Sequence, residues 1–283
     1  MDKLKNNLFL SVCRTMVVRY FKDRVPQASA ELAYYLLFSI FPLMIFINSA
    51  ISMFNISINE MLNTLEQILP IEIFKIITDY ISYASGLQSA TLLYSGLFLT
   101  VYMLSRAVKS LMYSVMRAYR VKRKGLIHAA RSIVFSVLLL LSLIILLALY
   151  MVSGELLETL SEYINLSPGF IYMWQLMQRA LAPVFLFFML TLFYYAIGRE
   201  THSFAGAMPG AAFSLIIWTV ATMGFSYYIK NINSYSALYG SIGAIMILML
   251  WLYLTGLVLI MGGELNHVIV TEKNRRKRRE IWL

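Results

Sequence analysis

Residues 28–54 read ASAELAYYLLFSIFPLMIFINSAISMF, and this stretch decides the fold class. From Leu32 to Ile47 no residue is charged, and with its mixed flanks the stretch is long enough to supply the roughly 20 helical residues that cross a hydrocarbon core of about 30 Å. Pro42 inside it removes the hydrogen bond that would end on the Phe38 carbonyl, which in lipid needs another partner. Ser39 or a neighbouring helix could supply that partner. The stretch therefore predicts a kinked spanning helix, packed within a larger bundle.

The composition extends this prediction to the whole chain. Of its 283 residues 60% are hydrophobic, and only 13% are charged, against about 25% in soluble domains. Cys13 is the sole cysteine, so an intramolecular disulfide is impossible, and the three histidines lack metal-ligand spacing. We therefore expect a polytopic membrane protein and assign no catalytic residue, no metal ligand and no cofactor.

Six apolar segments of helical length follow one another, which predicts an all-α membrane protein with a single integral domain over residues 1–283. The predicted spans are 32–54, 89–104, 133–152, 176–197, 204–228 and 242–264. The second continues without proline or glycine into a basic extension, 105–124, that should protrude into the cytoplasm. Two short amphipathic helices are predicted in 55–88, and residues 270–283 form a basic cytoplasmic tail.

Residues 1–25 lack the uninterrupted apolar core of a signal peptide. An apolar stripe recurs every four residues, which predicts an amphipathic helix. The stripe consists of Leu4, Leu8, Val12, Met16 and Tyr20. Two placements stay open, because such a helix can lie on the inner membrane surface or pack under the bundle.

The distribution of basic residues predicts the orientation of the spans. Of the 24 Lys and Arg residues, only Lys75, Arg179 and Lys230 fall on the outer side when both termini are placed in the cytoplasm. Positive charge resists translocation, so this arrangement is the favoured one. The same bias explains the net charge of +10 without a nucleic-acid partner, for which aromatic stacking positions are too sparse.

Three short motifs resemble the YihY/BrkB family of bacterial inner-membrane proteins, long labelled ribonuclease BN and virulence factor BrkB. They are Ala33-Tyr34-Tyr35, Ser39-Ile40-Phe41-Pro42 and Gly263-Glu264-Leu265-Asn266. Glu31 departs from the pattern, since the family usually has a small or apolar residue there, and Gly263 stands where Ala is common. The resemblance implies a six-span layout in the bacterial cytoplasmic membrane. Some members have been linked to export of lipid or lipopolysaccharide.

Transport of a lipid-like or small-molecule substrate is the first functional hypothesis, through a cavity bounded by the first and last spans. It rests on polar and helix-breaking residues near or within the hydrocarbon, which usually face a bundle interior. The candidate cavity residues are Glu31, Ser39, Pro42, Asn48, Glu264 and Asn266, with Arg106 as a counter-charge. The alternative, that both carboxylates are merely interfacial, stays open. Gly206 and Gly210 form a GxxxG pair that predicts close helix packing.

The second hypothesis is a non-catalytic scaffold or envelope-integrity protein that binds anionic lipid headgroups or a protein partner through basic side chains. These are Arg117, Arg120, Lys122, Arg123, Lys124, Arg275, Arg276, Lys277, Arg278 and Arg279. A homo-oligomer is also compatible with the sequence. We reject a ribonuclease, because only Glu264 and His267 pair an acidic residue with a histidine at ligand spacing, and one such pair cannot build a metal site.

Overall fold

The computed structural model describes residues 2–54, 62, 74–75, 77–79, 90–121, 129–146, 167–198, 203–231 and 235–281. These residues are helical apart from short turns, and no strand occurs among them. The amphipathic helices predicted in 55–88 fall almost entirely outside the described residues. So do Lys122 to Lys124, and from residue 274 onward the side chains of the last helix are likewise not described.

Seven helices account for the described part of the chain apart from residues 62, 74–75 and 77–79, which are also helical. They are α1 (Asp2–Lys22), α2 (Val25–Phe54), α3 (Ala90–Tyr119), α4 (Ala129–Leu146), α5 (Pro168–Gly198), α6 (Phe204–Asn231) and α7 (Tyr235–Ile281). Within these described residues, all except α1 are long and apolar enough to cross a membrane. The predicted all-α, six-span architecture is confirmed.

The helices extend beyond the apolar runs that predicted them. The first spanning helix begins at Val25, and the last continues through the basic tail to Ile281. Lys, Arg and Glu are good helix formers, and no glycine or proline follows Gly263. Hydrophobicity therefore located the spans, whereas helix propensity allows the last helix to continue beyond its apolar run.

The core lies mainly at the end of the bundle where α2 begins and α3 ends. The buried side chains on α3 include Val108, Leu111, Met112 and Val115, which recur at helical spacing. They pack with residues of α2, α5, α6 and α7 in one cluster. The predicted protruding half of the second span is thus a packed part of the bundle, and its basic residues occupy the remaining face.

The part of α2 around Pro42 packs against α3. A side chain at Gly96 on α3 would place its Cβ 2.9 Å from the Phe46 nitrogen and 3.2 Å from the Pro42 carbonyl oxygen, so the two backbones nearly touch. Ser39 does not serve the Phe38 carbonyl, as its hydroxyl donates to the Leu36 carbonyl at 2.7 Å. The Ser39 alternative is therefore wrong, because a serine hydroxyl reaches back by one turn along its own helix.

Candidate functional site

A close crossing of α6 and α7 organises the polar interior. A Cβ at Gly262 on α7 would collide with the Ser214 hydroxyl and would lie 2.7 Å from the Gly210 carbonyl oxygen on α6. A Cβ at Gly210 would in turn collide with the Gly262 carbonyl. By contrast, a Cβ at Gly206 would meet only Ser203 and Val270 side chains, at 3.3 Å and 3.9 Å. Of the predicted GxxxG pair, only Gly210 lies where the two backbones meet.

Asn266 ties three helices together at this crossing. Its Oδ1 accepts from the Gly210 backbone N–H at 2.6 Å, and its Nδ2 donates to the Ala207 carbonyl at 3.0 Å. Nδ2 also lies 3.3 Å from the Tyr119 hydroxyl on α3. Both backbone groups lie within one turn of Pro209, which itself cannot donate to the Ala205 carbonyl. The Asn266 amide therefore joins α7 to the turn of α6 that contains Pro209.

Tyr194 on α5 forms a second polar bridge to α7, at Val258 and Leu259. Its hydroxyl donates to the Leu259 carbonyl at 2.6 Å and lies 3.0 Å from the Ser214 hydroxyl, which donates to the Val258 carbonyl. These groups are buried, so each bond replaces one to water. The bridge fixes α5 and α6 against the same face of α7.

A buried ion pair joins the first helix to the last. Arg19 Nη1 on α1 donates to Glu264 Oε2 on α7 at 2.8 Å, and their side chains are 11% and 0% exposed. The same nitrogen lies 3.3 Å from the Ala118 carbonyl at the end of α3. Glu264 Oε1 has no hydrogen-bond partner in the described part of the chain. A buried carboxylate with only one oxygen satisfied is costly, which makes this position chemically unusual.

The predicted counter-charge was wrong. Arg106 lies over the Tyr35 ring, with its guanidinium carbon 5.6 Å from the ring centroid, and Arg19 pairs with Glu264 instead. The carboxyl of Asp23 in the α1–α2 turn also lies close enough to interact with Glu264. Arg117, exposed on α3, donates to the Asp23 backbone carbonyl at 2.9 Å. The surroundings of Glu264 therefore come from α1, the turn after it, and α3.

An apolar groove of about 380 Å³ lies between the first and last spanning helices, beside the C-terminal part of α6. Its lining residues are Ala30, Ala33, Tyr228, Ile229, Met246, Ile247, Met249, Leu250 and Tyr253. The Tyr253 hydroxyl interacts with that of Tyr20 on α1, so one end of the groove adjoins α1. Along α7, Tyr253 and Glu264 are separated by about 16 Å at 1.5 Å per residue.

The predicted cavity residues are only partly brought together. Glu264 and Asn266 are fully buried, two residues apart, at the α1–α3–α6–α7 junction. Ser39 and Asn48 are buried on α2, and Pro42 is half-buried at its contact with Gly96. Glu31 is exposed and forms no hydrogen bond or ion pair with the described residues. No three His, Cys, Asp or Glu side chains of the described part come together in a group that could hold a metal ion.

Sequence reasoning missed Arg19, Tyr119, Tyr194 and Gly262. Arg19 had a detectable signal, since it stands three residues after Met16 and beside Tyr20, on the stripe of α1 that packs against the bundle. The two tyrosines had none, because each lies in a stretch with several other aromatic or apolar residues. Among the predicted basic contacts that are described, Arg117 and Arg120 are exposed at the end of α3.

These features define an integral membrane protein with six spanning helices and a polar junction sealed inside the bundle. The chain matches the model of the family described as virulence factor BrkB over residues 16–282, and it belongs to that family. The family resemblance drawn from the sequence motifs is thereby confirmed.

Individual relatives match over very different lengths. The ribonuclease-like protein YfkH of Bacillus subtilis (strain 168) is 28% identical over 266 residues, which are 93% of this chain and 97% of that protein. A UPF0761 membrane protein of Pseudoalteromonas translucida (strain TAC 125) is 35% identical over 81 residues, 29% of this chain and 27% of that one. One from Tolumonas auensis is 41% identical over 58 residues, 20% of this chain and 19% of that one. No solved structure matches the chain.

Proposed function

We propose that this protein transports a lipid-like substrate, with the apolar groove between α2 and α7 as the binding site for its hydrocarbon part. The observation that carries the proposal is the groove itself. It lies between the first and last spanning helices, has almost wholly apolar walls, and adjoins two tyrosine hydroxyls at one end. An amphiphile needs an apolar path beside polar groups, and this arrangement offers both.

The buried pair Arg19–Glu264 supports a transport role over a purely structural one. Burying an ion pair is a weak source of stability, because desolvation offsets much of the attraction. Ionisable groups at such positions in membrane proteins commonly belong to substrate or ion pathways. In this proposal Glu264 links movement of α7 to α1, while the groove on the same helix holds the substrate.

The test is movement of phospholipids with fluorescent headgroups in proteoliposomes that contain the purified protein. Ala30→Trp is designed to fill the groove from an exposed lining position, and Glu264→Gln removes the buried charge. Both variants are expected to lose most of the movement. A matched control is Val134→Trp, which adds the same ring at an exposed position on α4. Equal rates in all variants and in protein-free vesicles, where a known scramblase works, would contradict phospholipid transport.

A scaffold that binds anionic lipid or a protein partner is the second candidate, and exposed Arg117 and Arg120 favour it. In this case Glu264→Gln leaves function intact, whereas replacing Arg275 to Arg279 by glutamine abolishes partner binding. For ribonuclease activity, which the name of the Bacillus relative suggests for that protein, the described residues offer no metal-binding group. We expect no RNA cleavage by the purified protein.

A further inference from the structure

Helix α1 has two faces with different surroundings. One face packs on the bundle through Met16, which is buried, and through Arg19 and Tyr20, which contact α7. Val12 on the same face is half-buried. The stripe that predicted an amphipathic helix is therefore the stripe that docks, at least from Val12 onward. The sequence left two placements of this helix open, on the membrane surface or packed under the bundle. This face of α1 packs on the bundle.

The opposite face is apolar as well, and its large side chains are exposed, with Phe21 packed edge-on against the Tyr20 ring of the same helix. Leu10, Val17 and Phe21 are 63%, 61% and 71% exposed, and Val18 is also exposed. Leu10, Val17 and Phe21 repeat at helical spacing, so they form one continuous strip. Exposed Arg14 lies within this strip and Lys22 beside it. A strip of large apolar side chains interspersed with cations is unfavourable in water and marks an interaction surface.

The position of α1 determines what can cover this face. Only two residues, Asp23 and Arg24, separate it from α2, which begins to span at Val25. Arg24 adopts a left-handed conformation with φ of 53°, which turns the chain sharply between the helices. The C-terminal half of α1 must then lie at the level where α2 enters the bilayer. That level is the headgroup region, where apolar side chains enter the acyl boundary and basic ones reach phosphates.

We propose that the face of α1 formed by Leu10, Val17, Val18 and Phe21 binds the surface of an anionic bilayer leaflet, with Arg14 and Lys22 contacting lipid phosphates. Helix α1 is then held between the bundle and the lipid. Basic residues near such a surface are attracted by its negative potential, and no acidic residue lies on this face between Leu10 and Lys22. The proposal does not depend on transport, and it concerns a different surface from the groove.

The chain carries its own reporter for this surface. Cys13 is the sole cysteine, is exposed, and lies three and four residues from Leu10 and Val17. An environment-sensitive fluorophore on Cys13 of the full-length protein reports whether this face is in water or lipid. In vesicles containing phosphatidylglycerol we expect blue-shifted emission and protection from iodide quenching. In vesicles of phosphatidylcholine alone we expect a smaller shift.

Two sets of variants separate the apolar and ionic parts. The double variant Val17→Ser with Phe21→Ser is expected to abolish the emission shift. Its matched control, Val134→Ser with Phe170→Ser, makes the same changes at exposed positions on α4 and α5. The control should retain the shift. Arg14→Gln with Lys22→Gln should remove the difference between the two lipids. An unshifted, fully quenched fluorophore in both lipids overturns the proposal. A shift that follows the protein-to-lipid ratio also overturns it, because a second copy would then cover the face.

Discussion

At the scale of single residues, Asn266 satisfies more backbone than any other side chain of the polar junction. Its amide serves the Gly210 N–H and the Ala207 carbonyl around Pro209, in a region without water access. A leucine of similar volume would fill the space but remove both of these hydrogen bonds. Each unsatisfied buried group costs about 1–3 kcal/mol.

Asn266→Leu is therefore expected to lower the free energy of unfolding in detergent by about 2–4 kcal/mol, given partial relaxation of the turn. Thermal unfolding followed by tryptophan fluorescence measures this loss. Thr219→Val is the control, because that exposed hydroxyl bonds only to its own helix at Leu215. Equal midpoints for the two variants would mean that the amide bridge contributes nothing.

The Arg19–Glu264 pair predicts a strongly non-additive double mutant. Arg19→Gln leaves the fully buried Glu264 carboxylate without its cation, which should cost about 3–5 kcal/mol. Adding Glu264→Gln removes that charge, so the double variant should be more stable than Arg19→Gln alone. Arg106→Gln, which loses only a contact with the Tyr35 ring, should change stability by about 0.5 kcal/mol or less. Additive losses in the double variant would argue against a direct pair.

At the scale of helices, glycines decide where α7 meets its neighbours. A Cβ at Gly256 would meet Ser29 on α2. A Cβ at Gly262 would meet Gly210 on α6, and one at Gly263 would meet Val115 on α3. Small residues let helices approach closely when no hydrophobic effect operates between them in lipid. Three partners thus reach α7 at three successive glycine positions.

Gly262→Ala should consequently destabilise the α6–α7 contact, since its methyl group would meet the Ser214 hydroxyl and the Gly210 carbonyl together. Overpacking of this kind costs about 1–3 kcal/mol. Gly224→Ala on α6 has nothing within 4 Å of the added Cβ, and higher helix propensity should make it neutral or stabilising by up to about 1 kcal/mol. The pair is compared by thermal unfolding in the same detergent. A stabilised Gly262→Ala would show that the crossing is looser than described.

For the whole molecule, the charge distribution predicts that both termini face the cytoplasm. A fluorescent-protein fusion after Leu283 should fluoresce, and an alkaline phosphatase fusion after residue 160 should be active, because the loop there carries acidic rather than basic residues. A fusion of the phosphatase after Leu283 is the control and should be inactive. Active phosphatase at the C-terminus would contradict this topology.

The sequence predicts the helices of this molecule better than it predicts which side chains on different helices contact each other. Hydrophobic runs are local, so the number of spans and most of their positions follow from windows of about 20 residues. The partner of Glu264 does not, because Arg19 is 245 residues away and lies on a helix with two plausible placements. Arg106 was named as the counter-charge, but the sequence does not determine which face of α3 points inward. Likewise Gly206 and Gly210 belong to the same GxxxG motif, and only the geometry of the α6–α7 crossing shows that Gly210 is the one at the contact.

The central position of α7 has a consequence for how the protein is made. Ribosomes deliver the chain from its N-terminus, so α2, α3 and α6 enter the membrane before the helix on which all three pack. Until α7 arrives, Gly210, Ser29 and Val115 lack their contacts with it, and Arg19 lacks the Glu264 carboxylate. Until then the early helices are incompletely packed, so membrane proteases and insertion chaperones can act on them. A chain interrupted before Gly256 therefore lacks all three of these helix contacts.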